Sequence, residues 1–279
     1  MSTQHSEVSV VETVLGPLSV TRTGSGQPAF LWHSMFLDSE TFDPVTEKLG
    51  RHRELFLVDG PGHGNSPGPR EIYDLHDCAV AAVQLLDAFR VDTPVDWLGN
   101  AWGGHVGILL AEGWPSRLRT LTMIGTPAYP LPTAQRLKTA LLVGMFRVIG
   151  PSRLSGLVVD ALVGADGEPG SRAAAEEAVR DSFRRGDKQG KYWAMRSLML
   201  RRPDLSAVFE RVQTPTLLIA GQNDAMYDLD KAELLAAAMP NAVLMPVAGG
   251  GHAAPLYVAA DEVSQAVLEF WDTGRLPVR

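Results

Sequence analysis

Apolar positions recur with two different periods along this chain. Val8 to Val14 and Leu18 to Thr23 alternate around Gly16-Pro17, a pattern that predicts a hairpin. Pro28 to Trp32, Leu55 to Val58, Val95 to Leu98 and Leu118 to Gly125 are short, nearly continuous apolar runs, as expected of strands buried on both faces. Between them the period lengthens. Thr41 to Leu49 carries Phe42, Val45 and Leu49 on one helical face, and Asp74 to Phe89 is periodic throughout. The run at Val95 is followed by a helical pattern at Val106, Ile108, Leu109, Leu110 and Ala111, ending near Trp114-Pro115. Strands alternating with helices predict a mainly parallel sheet with helices on both faces.

The rhythm breaks after Thr126-Pro127. From about residue 129 to 206 there is no strand pattern. Helical patterns fill the stretch at Ala134 to Ile149, Arg153 to Val163, Ala173 to Arg185 and Lys191 to Leu200, punctuated by Gly150-Pro151, Gly164, Pro169-Gly170, Gly186 and Pro203. The earlier rhythm then resumes. Pro215 to Ala220 and Ala242 to Val247 read as strands, Leu229 to Met239 and Pro255 to Trp271 as helices. The expected architecture is α/β: an eight-stranded, mostly parallel sheet formed by residues 1–128 and 207–279, with residues 129–206 inserted as an all-helical cap.

Composition narrows the function. The 279 residues are 45% hydrophobic and 20% charged, enough to bury a sizeable core. The net charge is −7 and no Lys/Arg-rich run stands out, so neither nucleic acid nor an anionic membrane is an expected partner. No run reaches the roughly 18 apolar residues of a membrane span. Cys78 is the single cysteine, which excludes an intrachain disulfide and fits a cytoplasmic location. Met1 to Glu7 is polar and lacks the apolar centre of a signal peptide. A monomer and a homodimer both remain open. The histidines and acids show no metal-ligand spacing, and no cofactor is implied.

The candidate chemistry sits where the run Val95 to Leu98 meets Gly99-Asn100-Ala101-Trp102-Gly103-Gly104-His105. Strand, glycine-flanked turn and helix are the setting of the G-x-S-x-G nucleophile turn, in which small flanking residues let a strained bend push its central side chain into the open. Here the centre is Ala101, which has no nucleophilic atom.

Three further motifs stand at corresponding points after other strands. They are His33-Ser34-Met35-Phe36, then Asp59-Gly60-Pro61-Gly62-His63-Gly64-Asn65-Ser66, and the pair Gly221-Gln222-Asn223-Asp224 and Gly251-His252. With the turn at Ala101 they occur in the order of the α/β-hydrolases, which the chain resembles over nearly its whole length. The resemblance implies a nucleophile position at Ala101, a base at His252 and an orienting carboxylate at Asp224. It implies oxyanion donors at the backbone N–H groups of Trp102 and Met35, with Phe36 as second choice to Met35. His33 is expected to support the oxyanion loop. The chain departs from the family pattern at Ala101 and at Ser34, which replaces a glycine. Asp59, His63 and Ser66 read as builders of a turn, and His105 and Cys78 as structural.

Three explanations fit Ala101: an engineered serine-to-alanine change, a natural relative that binds without turnover, or chemistry that needs only a base. The intact remainder favours the first. The expected substrate is a small hydrophobic carbonyl compound, an ester or lactone. C–C bond hydrolysis is an alternative, and an aspartate-nucleophile dehalogenase or epoxide hydrolase fits less well. His33, Ser34, Phe36, Tyr129, Met145, Phe146, Trp193, Met226 and Tyr227 are the candidate pocket residues.

Overall fold

The computed structural model describes residues 6–164, 169–224, 226–248, 251–252 and 255–275. The polar start at Met1 to His5 lies outside the described residues. Strands β1 (Glu7–Thr13), β2 (Gly16–Gly24), β3 (Gln27–Trp32), β4 (Arg53–Val58), β5 (Val95–Asn100), β6 (Leu118–Ile124), β7 (Thr216–Gly221) and β8 (Ala242–Val247) form one sheet, in the spatial order β1-β2-β4-β3-β5-β6-β7-β8. β2 pairs antiparallel with β1 and β4. The remaining neighbours are parallel. The order reverses direction at β3 and β5, so the loops after those two strands open onto one crevice, where α/β folds bind ligands.

Both sheet faces are covered, which is why the central strands are apolar without alternation. Successive side chains enter opposite cores. Phe30, Trp32 and Trp97 pack with Leu85 and Leu86 of α2 (Leu75–Ala88 in the chain) and with Val106 and Leu110 of the helix after β5. Leu31 and Leu98 pack on the other side with Val45 and Leu49 of the helix Asp43–Gly50, here α1, and with Val263, Val267 and Phe270 near the carboxyl end. α2 starts at a capping box: Asp74 accepts from the Asp77 N–H and Asp77 from the Asp74 N–H, both at 2.9 Å. The helix after β5 is α3 (Trp102–Gly113).

Between β6 and β7 come α4 (Thr133–Ile149), α5 (Pro151–Val163), α6 (Pro169–Arg184), α7 (Lys188–Ala194) and α8 (Ser206–Arg211). No strand occurs in this stretch among the described residues. α7 continues into a π-helical turn at Met195–Met199, so the single helix expected from Lys191 to Leu200 changes its winding partway. The short α8 was not expected; it packs on α3 and on α9 (Leu229–Ala238). The helix expected from Pro255 to Trp271 is two pieces, α10 (Pro255–Val258) and α11 (Ala260–Thr273), because Ala259 leaves the helical region at φ −131°.

The helical insertion is fastened to the loop after β3. Asp38 accepts a hydrogen bond from Ser182 Oγ at 2.9 Å and pairs with Arg185 at 3.0 Å, and Glu40 pairs with the same arginine at 2.5 Å. Lys191 caps the end of α6, its ammonium donating to the carbonyls of Ser182 (2.6 Å), Phe183 (3.1 Å) and Arg185 (2.6 Å). Burial pushes this ammonium down to about 7.

Candidate active site

β5 delivers the chain to Ala101, whose backbone lies at φ 46°, ψ −95°. Few non-glycine residues occupy such a conformation, and it persists only where the surroundings enforce it. The enforcement is visible. The Ala101 N–H donates to the Ile124 carbonyl at 2.7 Å, and its own carbonyl accepts from the His105 N–H at 3.0 Å. Trp97 Nε1 donates to the Gly103 carbonyl at 2.9 Å. A Cβ on Gly103 would overlap the Trp32 carbonyl, and one on Gly99 would overlap the Gly103 backbone. The two glycines therefore permit the close strand-to-helix approach that makes the bend.

The loop after β3 is tied to the loop after β4 by two histidines. His33 Nδ1 donates to the Ser34 carbonyl at 2.8 Å and its Nε2 accepts from the Gly60 N–H at 2.8 Å. His63 Nδ1 donates to the Pro61 carbonyl at 3.0 Å and its Nε2 accepts from the Phe36 N–H at 3.3 Å. Each ring needs one bare nitrogen, so both are neutral, and burial lowers both from the usual histidine range. Asp59 holds the second loop by accepting from the N–H groups of Ser39 (2.9 Å) and Asn65 (2.8 Å). His63 thus consumes the Phe36 amide. The amides of Met35 and Trp102 have no hydrogen-bond partner among the described residues.

After β7, Asp224 is held by the N–H groups of Met226 (2.8 Å) and Tyr227 (3.1 Å), both on Oδ1. Its Oδ2 accepts from His252 Nδ1 at 2.9 Å. Both side chains are buried. Fixing the proton on Nδ1 leaves His252 Nε2 as the basic nitrogen.

Ala101, Trp102, Met35 and His252 share the wall of one cavity of about 410 Å³. Opposite them stand Leu142 of α4, Val158 and Leu162 of α5, and Leu198 and Met199 of the π turn. Of the expected pocket residues, Ser34, Phe36 and Met226 line this cavity. The other six do not. His33 is fully buried in the loop link just described. Phe146 is buried against Phe183, with ring centres 5.5 Å apart. Tyr227 packs with Ala220 and Ala232. Met145 packs against the main core. Trp193 lies beneath Arg196, 4.8 Å from its ring centre, and Tyr129 beneath Lys231 at 5.2 Å. Among the positions missed are Leu142, Val158, Leu162, Leu198 and Arg202. Helical spacing marks the first four as apolar-face residues without telling core from cavity.

A profile of the alpha/beta hydrolase family matches residues 24–266. The chain belongs to the alpha/beta hydrolase family. Its relatives in that family include the pimeloyl-[acyl-carrier protein] methyl ester esterase of Xanthomonas axonopodis pv. citri, 30% identical over 254 residues that cover 88% of this chain and 96% of the relative. Among solved hydrolase-fold structures, a thermophilic esterase from Thermogutta terrifontis superposes with a TM-score of 0.86 at 21% identity, covering 96% of this chain and 99% of its own. The enol-lactonase of Burkholderia xenovorans gives 0.82 at 21% identity, covering 92% and 96%. No group of three or more His, Cys, Asp or Glu that could hold a metal occurs among the described residues of this hydrolase. No helix among them is long and apolar enough to cross a membrane.

Proposed function

We propose that this chain carries the machinery of a carboxylic ester or lactone hydrolase for a small, largely apolar substrate, with Ala101 standing where the serine nucleophile belongs. The observation that carries the reading is the 2.9 Å bond from His252 Nδ1 to Asp224, made on the same cavity wall as the bent Ala101. In the serine form, His252 Nε2 takes the hydroxyl proton as the oxygen attacks the carbonyl carbon, and later returns it to the leaving alcohol. Asp224 holds the imidazole in the required tautomer and stabilises the imidazolium. The free amides of Met35 and Trp102 receive the developing oxyanion. Residues 129–206 form the cap that encloses the substrate, and residues 1–128 and 207–279 the core.

The alanine removes the covalent step and leaves the cavity. The chain as it stands is therefore a substrate-holding form in which about 10³–10⁴-fold rate enhancement over water persists. Ala101 reads as an engineered replacement, since every partner of the missing hydroxyl is retained. The relative named for a methyl ester, together with the apolar cavity, favours an ester carbonyl over a carbon–carbon bond. The test is Ala101→Ser, assayed with short aryl esters and lactones. Activity should rise by orders of magnitude and vanish on a further His252→Ala change. No gain would sink the hydrolase reading and leave a ligand receptor or a cofactor-free enzyme that uses His252 as its base.

A further inference from the structure

Arg202 lines the cavity, as do His105 and Met226, and its charge acts on His105. It follows the π turn that shapes this wall. No ion pair of the described residues includes it. Its Nε is shut away from solvent with no hydrogen-bond partner. The two arginines most tightly tied into the fold are compensated. Arg53 is paired with Asp96 and Asp272, and Arg185 with Asp38 and Glu40. Burial lowers the Arg202 guanidinium from the usual arginine range, and the Tyr129 phenol that would oppose this is itself raised by burial and so uncharged at neutral pH.

The rest of the wall offers nothing to balance it. Among the described residues no Asp or Glu lines the cavity, and the second cation there, Lys138, sits on the exposed face of α4. Leu131, Leu142, Leu162, Leu198 and Met199 make the surroundings apolar. An uncompensated guanidinium against such a wall is costly, and the cost is recovered when an oxyanion fills its planar fork. A single monovalent cation matches a carboxylate better than a doubly charged phosphate.

We infer that Arg202 is a specificity residue that receives a carboxylate on the ligand, so that the preferred substrate is a half-ester bearing one free acid group and one reacting carbonyl. The inference rests on the cavity being the substrate site. The apolar wall would hold the methylene chain between the two ends, with the ester at Ala101 and the acid at Arg202. An ordinary alkyl ester satisfies the reacting end alone.

The chain as it stands permits a direct test, because Ala101 spares the ester. Monomethyl adipate and dimethyl adipate are titrated against it at pH 7.5 by calorimetry. The half-ester should bind about tenfold or more tightly than the diester. Arg202→Gln should erase that preference, the half-ester losing about tenfold more affinity than the diester, and Arg202→Lys should retain part of it. Circular dichroism melting identifies a variant that has not folded, and the two-ester comparison on the unaltered chain needs no substitution. Equal or weaker binding of the half-ester, or a preference that survives Arg202→Gln, overturns the inference and leaves the hydrolase reading intact. Binding of neither ester overturns both.

Discussion

At Ala101 the backbone stores strain that an alanine has no chemical use for. The φ of 46° lies where an L side chain costs about 1–2 kcal/mol relative to glycine. Glycine in turn loses roughly 0.5–1 kcal/mol through a freer unfolded chain. Ala101→Gly is therefore expected to raise stability by roughly 0.5 kcal/mol, read from urea unfolding. A clear loss would show that the bend is carried without strain. That Asp224 and His252 meet was legible in the sequence, because each follows a strand and the order of motifs puts both at the same end of the sheet. Arg202 was not. In the sequence it is one of two adjacent arginines before Pro203, indistinguishable from a solvated turn. Only the π turn at Met195–Met199, which no composition signal announces, directs it to the cavity wall. Phe146 and Trp193 failed for a related reason: a large apolar side chain on a helix has a face but no address.

Among the elements, α6 and the loop after β3 form the best-defined joint between insertion and core. Asp38 is buried, accepts from Ser182 and pairs with Arg185. Asp38→Asn keeps the shape and removes the charge. It should cost about 1–2 kcal/mol, the worth of hydrogen bonds to a charged group with a partly exposed partner. Faster limited proteolysis near Gly186, with the core fragment intact, would place the loss at this joint. An unchanged cleavage rate would mean that apolar contacts such as Phe36 on Phe183 hold the insertion unaided. The strands were read from the sequence to within a residue or two, because burial on both faces makes the central ones continuous apolar runs and the hairpin alternates around Gly16-Pro17. α8 escaped because Ser206–Arg211 offers only Val208 and Phe209 as apolar-face residues, too few to show a period.

For the whole molecule, three buried histidines set the acid limit. His33 and His63 are lowered by burial, and His105, which meets the Pro127 carbonyl through Nε2 at 2.8 Å, is pushed down to about 3. Each folded value lies below the ordinary 6.5 of the unfolded chain, so below that pH the unfolded state binds more protons. The stabilisation is complete above about pH 6.5 and declines on acidification, with the His105 contribution running down toward pH 3. The expected slope is up to about 1.4 kcal/mol per histidine for each pH unit. Urea midpoints at pH 7.5 and 5.0 measure it, and His105→Gln should flatten it. A pH-independent midpoint would contradict neutral buried rings. The same sealed interior contains the only thiol of the chain, Cys78 of α2, in one cluster with Trp102 beneath the bend. A sulfhydryl reagent can reach it only when that region breathes, so the native molecule already carries a reporter whose modification clock runs at the pace of its own opening.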